Sequence, residues 1–348
     1  MYKSGKEKFS LVDYLVYITF FPQITSGPIA NYNDMSVTLE KKETYRFKVE
    51  NFSDGVFLFF VGLAKKVLIA NKLSEIVSAC FVERTEVNST LALLGVFAYS
   101  LQIYFDFSGY SDMANGIGNM INFPIFKNFD SPYRAVSITD FWKRWHISLT
   151  RFLTKNVYIP LGGNRKGYVR TYVNILIVFL VSGLWHGASW TFVLWGALHG
   201  ILMVLDRIKK DHMGDVHLPK VIANPLTFIV VSFLWLVFRA ENLGQIKSTM
   251  LEIFALKFGP LSDGVINVFG TKLITYFLTQ WNMMPVLKVV PFVFIIVCYL
   301  LTLWKHNSDQ IATEKLYAKS GIAVLLAILA VASIVSFANV TSFIYWNF

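Results

Sequence analysis

Eight stretches of the chain carry apolar residues with few interruptions: 11–29, 53–70, 91–105, 172–190, 191–205, 221–238, 285–304 and 321–337. Most approach the ~20 residues that a helix needs to cross a bilayer. They lack the polar face that most helices of a soluble chain need. The pattern therefore predicts an all-α, polytopic membrane protein. The polar stretches between them alternate. Segments 31–51, 106–170, 206–220 and 305–320 hold most of the Lys and Arg, and one crossing per apolar stretch puts all four on the same side. Positive charge marks that side as cytoplasmic. The scheme requires that a helix near Trp142–Lys155 does not cross and that 241–280 returns to the side it left.

Within this frame four segments depart from a plain apolar span. The first ends in FFPQITSGPI, where Pro22, Gly27 and Pro28 bend or break a helix. The second, 52–79, is helical yet carries Lys65 and Lys66 in mid-run, which reads as snorkelling toward an interface or a protein-lined cavity. The third, FDFSGYSDMANGIGN (Asp106–Asn119), is small and polar, and so belongs inside protein rather than against lipid. Its Asp106 and Asp112 read as ties at helix ends or as functional carboxylates, the tie being favoured. The fourth, Ser137–Lys155, reads as one amphipathic helix lying at the membrane surface or dipping into it. Phe141, Trp145, Leu149 and Phe152 recur at helical spacing, with Lys143, Arg144, Arg151 and Lys155 mainly on another face.

Composition sharpens the class. The 348 residues are 55% hydrophobic and only 16% charged, against roughly 25% charged in soluble domains. A net charge of +10 in a soluble protein suggests nucleic acid or an acidic partner. Here it is accounted for by the basic loops, so no nucleic-acid role is expected. Cys80 and Cys298 stand far apart with no metal-ligand spacing. HExxH, zinc-quartet, P-loop and GxSxG patterns are absent as well. The sequence thus offers no metal site and no tightly bound cofactor.

The candidate chemistry lies in histidines. His186, in SGLWHGASW, follows the apolar run Val173–Leu184. Counted from Thr171 it is about 15 residues in, roughly 22 Å deep and past the midplane of a ~30 Å core. An ionisable group at that depth marks a functional site by default, and imidazole passes protons near neutral pH. Bonding between helices is the structural alternative. Trp185 and Trp190 would wall a pocket, and Gly183 and Gly187 would let a substrate approach the backbone. His146, in WKRWHISLT, reads as a second site residue or as an interfacial histidine among basic neighbours. His199 would project about 220° away from His186 on a continuous helix, so packing is favoured for it. His212, His217 and His306 lie in polar loops. A deep histidine without a protein nucleophile suits a general base acting on a substrate hydroxyl, hence group transfer.

At these residues the chain resembles the membrane-bound O-acyltransferase family, in the bacterial branch that acylates cell-wall and exported polysaccharides. The resemblance rests on FFPQITSGPI, YFDFSGYSDMANGIG, NFDSPYRAVSITDFWKRWHISLTRFL, YIPLGGNRKG, SGLWHGASWTFVLWGALHG and the terminal FIYWNF. It spans nearly the whole chain and is densest in a motif core over residues 104–200. PLGGNRKG and GASWTFVLWG favour the alginate O-acetylation type over the D-alanyl transfer type.

The resemblance implies one membrane-embedded domain over residues 1–348, a ring of about eight transmembrane helices with re-entrant or interfacial helices, in the plasma or inner membrane. It also implies that the histidine of WHG, His186, is catalytic and that His146 is the second functional position. Family members carry further spans ahead of the FFPQ segment, so the ring is expected to lack its N-terminal part here. The implied reaction moves an acyl group, acetyl in this branch, from a cytoplasmic thioester to a hydroxyl of an exported or cell-wall polysaccharide or its extracytoplasmic partner protein. Acyl-CoA or an acyl-carrier protein is the implied donor, and Lys143, Arg144, Arg151 and Lys155 are candidates for attracting it, with topology alone as their other reading. Two different readings stay beside this one. A transporter of donors or glycans should show repeats or paired broken spans, and none is evident. A non-catalytic scaffold within a polysaccharide-modification complex would need only the partner surfaces.

Overall fold

The computed structural model describes residues 10–24, 27–82, 88–123, 125–214, 218–270, 272–281 and 283–339. His217 and the terminal FIYWNF lie outside them. Every regular element among the described residues is helical. The first apolar stretch gives a short helix, α1 (Leu11–Thr19), followed by a single helical turn at Phe21–Ile24. At nine residues it spans about 14 Å, because Pro22 and Pro28 keep the stretch from continuing as one helix.

The long helices come next. Helix α2 (Val49–Ala64) runs through a π-helical turn at Lys65–Ala70 into α3 (Asn71–Phe81). Helix α4 (Ser89–Met120) is the longest at 32 residues, about 48 Å. The side chain of Asn88 starts it by accepting from Leu91 N–H at 3.0 Å. The segment 106–119 is not a loop: α4 continues through it, because its small and polar residues face other helices rather than lipid.

Helix α5 (Ile138–Arg144) and α6 (Ile147–Leu153) occupy the segment expected to form one amphipathic helix. The break falls at Trp145–His146, where His146 takes a left-handed conformation, φ 45° and ψ 53°. A non-glycine residue there cannot continue a right-handed helix. Helices α7 (Tyr168–His186) and α8 (Trp190–Met213) form an antiparallel hairpin, followed by α9 (Lys220–Arg239) and the shorter α10 (Leu243–Phe254). Helix α8 thus takes in much of the polar stretch that the sequence reads as a loop. Near the C-terminus come α11 (Val290–Thr302), α12 (Ser308–Thr313) and α13 (Ser320–Val335).

Four of these, α4, α7, α8 and α9, are long and apolar enough to cross a bilayer, while α11 and α13 are apolar but shorter. Burial separates the four: 83% of the apolar window of α4 is buried against 28% in α7. Helix α4 is therefore the axis of the packing, and α7 lies on its periphery. Apolar burial among helices in lipid gains little, so close backbone contact and polar ties have to hold them. Both are present. Gly55 and Gly62 of α2 meet Gly116 and Gly109 of α4 so closely that an added Cβ would strike the opposing backbone.

That seam brings two lysines of α2–α3 against two aspartates of α4. Lys65 Nζ lies 2.6 Å from Asp112 Oδ2, and Lys66 Nζ lies 2.9 Å from Asp106 Oδ1. Of the two destinations expected, the interface and a protein-lined cavity, the second agrees with the structure: both lysines are paired inside the protein, and Lys65 lines a small polar cavity. The aspartates act as the ties that the sequence favours, although from mid-helix rather than from helix ends. The π-helical turn offsets the register where Lys65 and Lys66 meet α4.

Candidate active site

Two segments far apart in sequence converge beside α4. One is the α5–α6 elbow, carrying His146. The other is the tip of the α7–α8 hairpin, carrying His186. Trp185 joins them: its ring lies 4.9 Å from His186 and 6.3 Å from His146, edge-on to both. Both histidines are nearly fully buried, whereas Trp185 is 53% exposed. The pair is thus enclosed by protein, with the half-exposed Trp185 beside both rings.

Each histidine has a distinct setting. His186 ends α7 and packs against Trp195 at 5.3 Å and Phe238 at 5.1 Å. His146 packs edge-on against Phe107 of α4 at 4.9 Å, and its Nδ1 lies 3.2 Å from Asn128 Oδ1. Asn128 Oδ1 also accepts from Ser148 N–H at 3.2 Å and Ser148 Oγ at 2.7 Å. Ser148 Oγ in turn accepts from Ile29 N–H at 3.0 Å. The proline- and glycine-rich segment after α1 is thereby fastened to the elbow that presents His146.

Glycine works differently here from the sequence reading. A Cβ on Gly183 would meet the carbonyl of Phe192, and one on Gly196 the carbonyl of Phe179. Gly183 is therefore occupied by the crossing of α7 and α8 and is closed to a substrate. Gly187, with φ 160° and ψ 161°, ends α7, and Ser189 restarts the chain as the cap of α8. This hairpin puts His199 near His186 with Trp195 between them, at 5.3 and 4.8 Å. The two histidines are therefore not on one continuous helix, and the 220° separation does not apply. The packing role expected of His199 agrees with the structure, in which it is buried and accepts from Trp142 Nε1 at 3.1 Å.

A cavity of about 400 Å3 lies between α5–α6 and α7–α8. Its walls are Trp142, Leu149, Leu153, Val178, Phe179 and Ser182, with Lys143 and Arg207 also lining it. Ser182 stands one helical turn before His186 in α7, so the cavity reaches within a turn of that histidine. Trp142 precedes His146 by four residues, with the elbow between them.

The four basic candidates are dispersed. Lys143 lines the cavity. Arg144 pairs with Asp140 at 2.8 Å, and Arg151 pairs with Asp34 at 3.2 Å while covering the Phe126 ring. Lys155 is exposed on the π-helical turn after α6. Arg207, which the sequence did not single out, lines the cavity while paired with Asp211 at 2.9 Å. His212 and His306 lie away from this centre, beside Tyr168 and Glu314 respectively. No cluster of three or more metal-ligating side chains occurs among the described residues.

Sequence reasoning also missed Asn128 and Asn174. Asn174, fully buried in α7, donates to the carbonyls of Gly163 at 2.8 Å and Leu161 at 3.4 Å, holding the PLGGN turn from beneath. Asn128 opens the NFDSPYRAVSITDFWKRWHISLTRFL motif, 18 residues before His146, whereas Asn174 lies outside the quoted motifs as a lone amide in an apolar run.

A family model described as MBOAT, membrane-bound O-acyltransferase family, matches residues 2–244, which include both histidines. The chain is 43% identical over 234 residues to peptidoglycan O-acetyltransferase of Helicobacter pylori, covering 67% of this chain and 44% of that protein. It is 40% identical over 258 residues to the probable alginate O-acetylase AlgI of Azotobacter vinelandii, covering 73% and 50% respectively. Teichoic acid D-alanyltransferase of Bacillus subtilis is 27% identical over 205 residues, covering 57% and 52%. The chain spans about half the length of the curated relatives it matches. It belongs to the membrane-bound O-acyltransferase family and is a membrane protein.

Proposed function

We propose that the chain carries the catalytic centre of an O-acyltransferase of the cell membrane, which moves a short acyl group from a cytoplasmic thioester to a hydroxyl of an exported or cell-wall polysaccharide. The observation that carries this reading is the convergence of His146 and His186 on Trp185, in a chain whose relatives are named O-acetyltransferases. Acetyl is the acyl group in those two names.

In this mechanism His186 is the general base. It takes the proton of the acceptor hydroxyl as that oxygen attacks the thioester carbonyl carbon. The tetrahedral intermediate then collapses, the carbon–sulfur bond breaks, and the thiolate recovers the proton from the imidazolium. Proton and charge balance without a covalent enzyme intermediate. Burial of both rings keeps bulk water from competing as acceptor. The acyl portion of the donor occupies the cavity beside Trp142 and Ser182, while Lys143 meets its phosphates. An acyl-CoA or an acyl-carrier protein supplies the same thioester, and the extracytoplasmic acceptor reaches the pair past Trp185.

The experiment is acyl transfer to polysaccharide in cells expressing parent or variant at equal membrane level. A positioned general base contributes ~10²–10⁴-fold, so His186→Ala is expected to fall at least ~100-fold. His186→Gln should be no better, because an amide hydrogen-bonds but does not take up a proton at neutral pH. Near-normal acylation by His186→Gln would remove His186 from catalysis and leave it as a helix-bridging group.

A further inference from the structure

The contacts of Asn128 determine which nitrogen of His146 bears hydrogen. Asn128 lies between α4 and α5 and is 1% exposed. Its amide orientation is set twice over. The backbone N–H of Ser148 can only donate, so the atom 3.2 Å from it is the carbonyl oxygen. Ser148 Oγ already accepts from Ile29 N–H, which directs its own hydrogen to that same oxygen at 2.7 Å. An amide oxygen accepts and never donates. His146 Nδ1, 3.2 Å away, must therefore be the donor of that contact. In the neutral ring the lone pair then sits on Nε2.

The other end of the amide agrees. Asn128 lines a small polar cavity with Lys65, Ser111, Asp112, Asn115 and Asp309. About 10 Å3 is open there to the centre of a water molecule, room for about one. Asn128 Nδ2, Ser111 Oγ and Asn115 Oδ1 have no hydrogen-bond partner among the described residues. Lys65 in this cavity is committed to Asp112 at 2.6 Å, and the carboxylate is an acceptor, which is compatible with an amide NH₂ pointing that way.

We propose that Asn128 is a positioning residue for acyl transfer: it holds His146 in the Nδ1–H tautomer, so that Nε2 is the nitrogen available to a proton. The proposal rests on the reading of the His146–His186 pair as the catalytic centre. Its logic is that of a base whose far nitrogen is tied to an acceptor so that the near one is left basic. Because the acceptor is a neutral amide and not a carboxylate, it fixes the tautomer without adding a charge that would hold the ring as imidazolium.

The test is ¹⁵N NMR of the full chain in lipid nanodiscs with ¹⁵N-histidine, the His146 signals being assigned by their loss in His146→Gln. The parent should show a protonated Nδ1 and an unprotonated Nε2. In Asn128→Leu the hydrogen should move to Nε2 or divide between the two nitrogens, and transfer should drop ~10-fold or more through kcat, with donor KM unchanged. Asn128→Asp should keep Nδ1–H and shift the acid limb of the pH–rate profile upward, since a carboxylate stabilises the imidazolium. An Nε2–H parent ring overturns the proposal, as does an Asn128→Leu protein with Nδ1–H retained. Should Asn128→Leu fail to accumulate, the parent spectrum and the Asn128→Asp profile still decide. The spectrum needs no turnover. A protein inactive in transfer but with Nδ1–H on His146 therefore counts against the acyl-transfer reading, and an active one with Nε2–H counts against Asn128 alone.

Discussion

Trp142 Nε1 donates a 3.1 Å hydrogen bond to His199 Nδ1, tying the helix that ends at the His146 elbow to the return helix of the His186 hairpin. Trp142 is also edge-on to Phe179 of α7 at 5.1 Å and to Trp195 of α8 at 5.8 Å. The relative placement of the two site histidines thus depends on a residue that is neither of them. Trp142→Phe keeps an aromatic ring but strands a buried acceptor, which costs about 1–3 kcal/mol. We expect a lower thermal midpoint in detergent and reduced transfer with both histidines present. An unchanged midpoint would show that ring packing alone sets the spacing.

The lysine–aspartate pairs of α2–α4 make an asymmetric prediction. Lys65 and Asp112 are 17% and 8% exposed at their side chains. Removing one partner leaves a buried charge, at about 3–5 kcal/mol, whereas replacing both with apolar residues is often neutral. Asp112→Leu should therefore deplete folded protein, and Lys65→Met combined with Asp112→Leu should restore much of it. Detergent-resistant monomer after heating is the measurement. A double variant no better than Asp112→Leu would mean the pair contributes more than mutual neutralisation.

Asp309, on α12 in the connection between α11 and α13, supplies a pH prediction. Burial, reinforced by the Asp112 carboxylate and less by Asp130, pushes its carboxyl up to about 6, against the pull of Lys127 and Lys65. A carboxyl raised in the folded state favours folding when protonated. That contribution is complete below the ordinary 3.8 and is lost as pH rises through about 6. Asp309→Asn should accordingly raise the thermal midpoint at pH 7.5 and change it little at pH 4. The gain is at most about 3 kcal/mol, from two units at ~1.4 each, less whatever solvent screens. Equal shifts at both pH values would assign the effect to packing.

For the donor, the cavity distinguishes Lys143 from its basic neighbours. Lys143→Ala should raise the apparent donor KM, with the increase shrinking as salt is added. Arg144→Ala should instead lower the yield of folded protein, because Arg144 bridges Asp140 at 2.8 Å and the carbonyl of Asp130 at 3.2 Å. Initial-rate kinetics at two salt concentrations separates the two. A salt-independent KM in Lys143→Ala leaves that lysine a topological role only.

How far these features are legible in the sequence depends on range. Apolar run length is a local property, and it announced the four long helices. The motif histidines were legible because ionisable groups stand out in such runs. The extension of α4 through Asp106–Asn119 was not, since its polar face is explained only by Lys65 and Lys66 arriving from another helix. The elbow at His146 was hidden for a related reason. Phe141, Trp145 and Leu149 keep helical spacing across the break, and the left-handed residue is held by Asn128, which lies 18 residues upstream. Asn128 opens a quoted motif, but nothing local marks its role, because His146 and Ser148 are brought to it by the fold.

The left-handed backbone of His146 separates loss of chemistry from loss of shape in a mutational scan. At φ 45° glycine is at ease, asparagine is tolerated, and β-branched residues are forced from their allowed region. A library sorted for protein level would therefore rank Gly and Asn above Val and Ile at this position, while a library sorted for acylation would reject all four. The site is one where abundance and activity select for different amino acids, and the histidine found there is retained at the expense of backbone comfort.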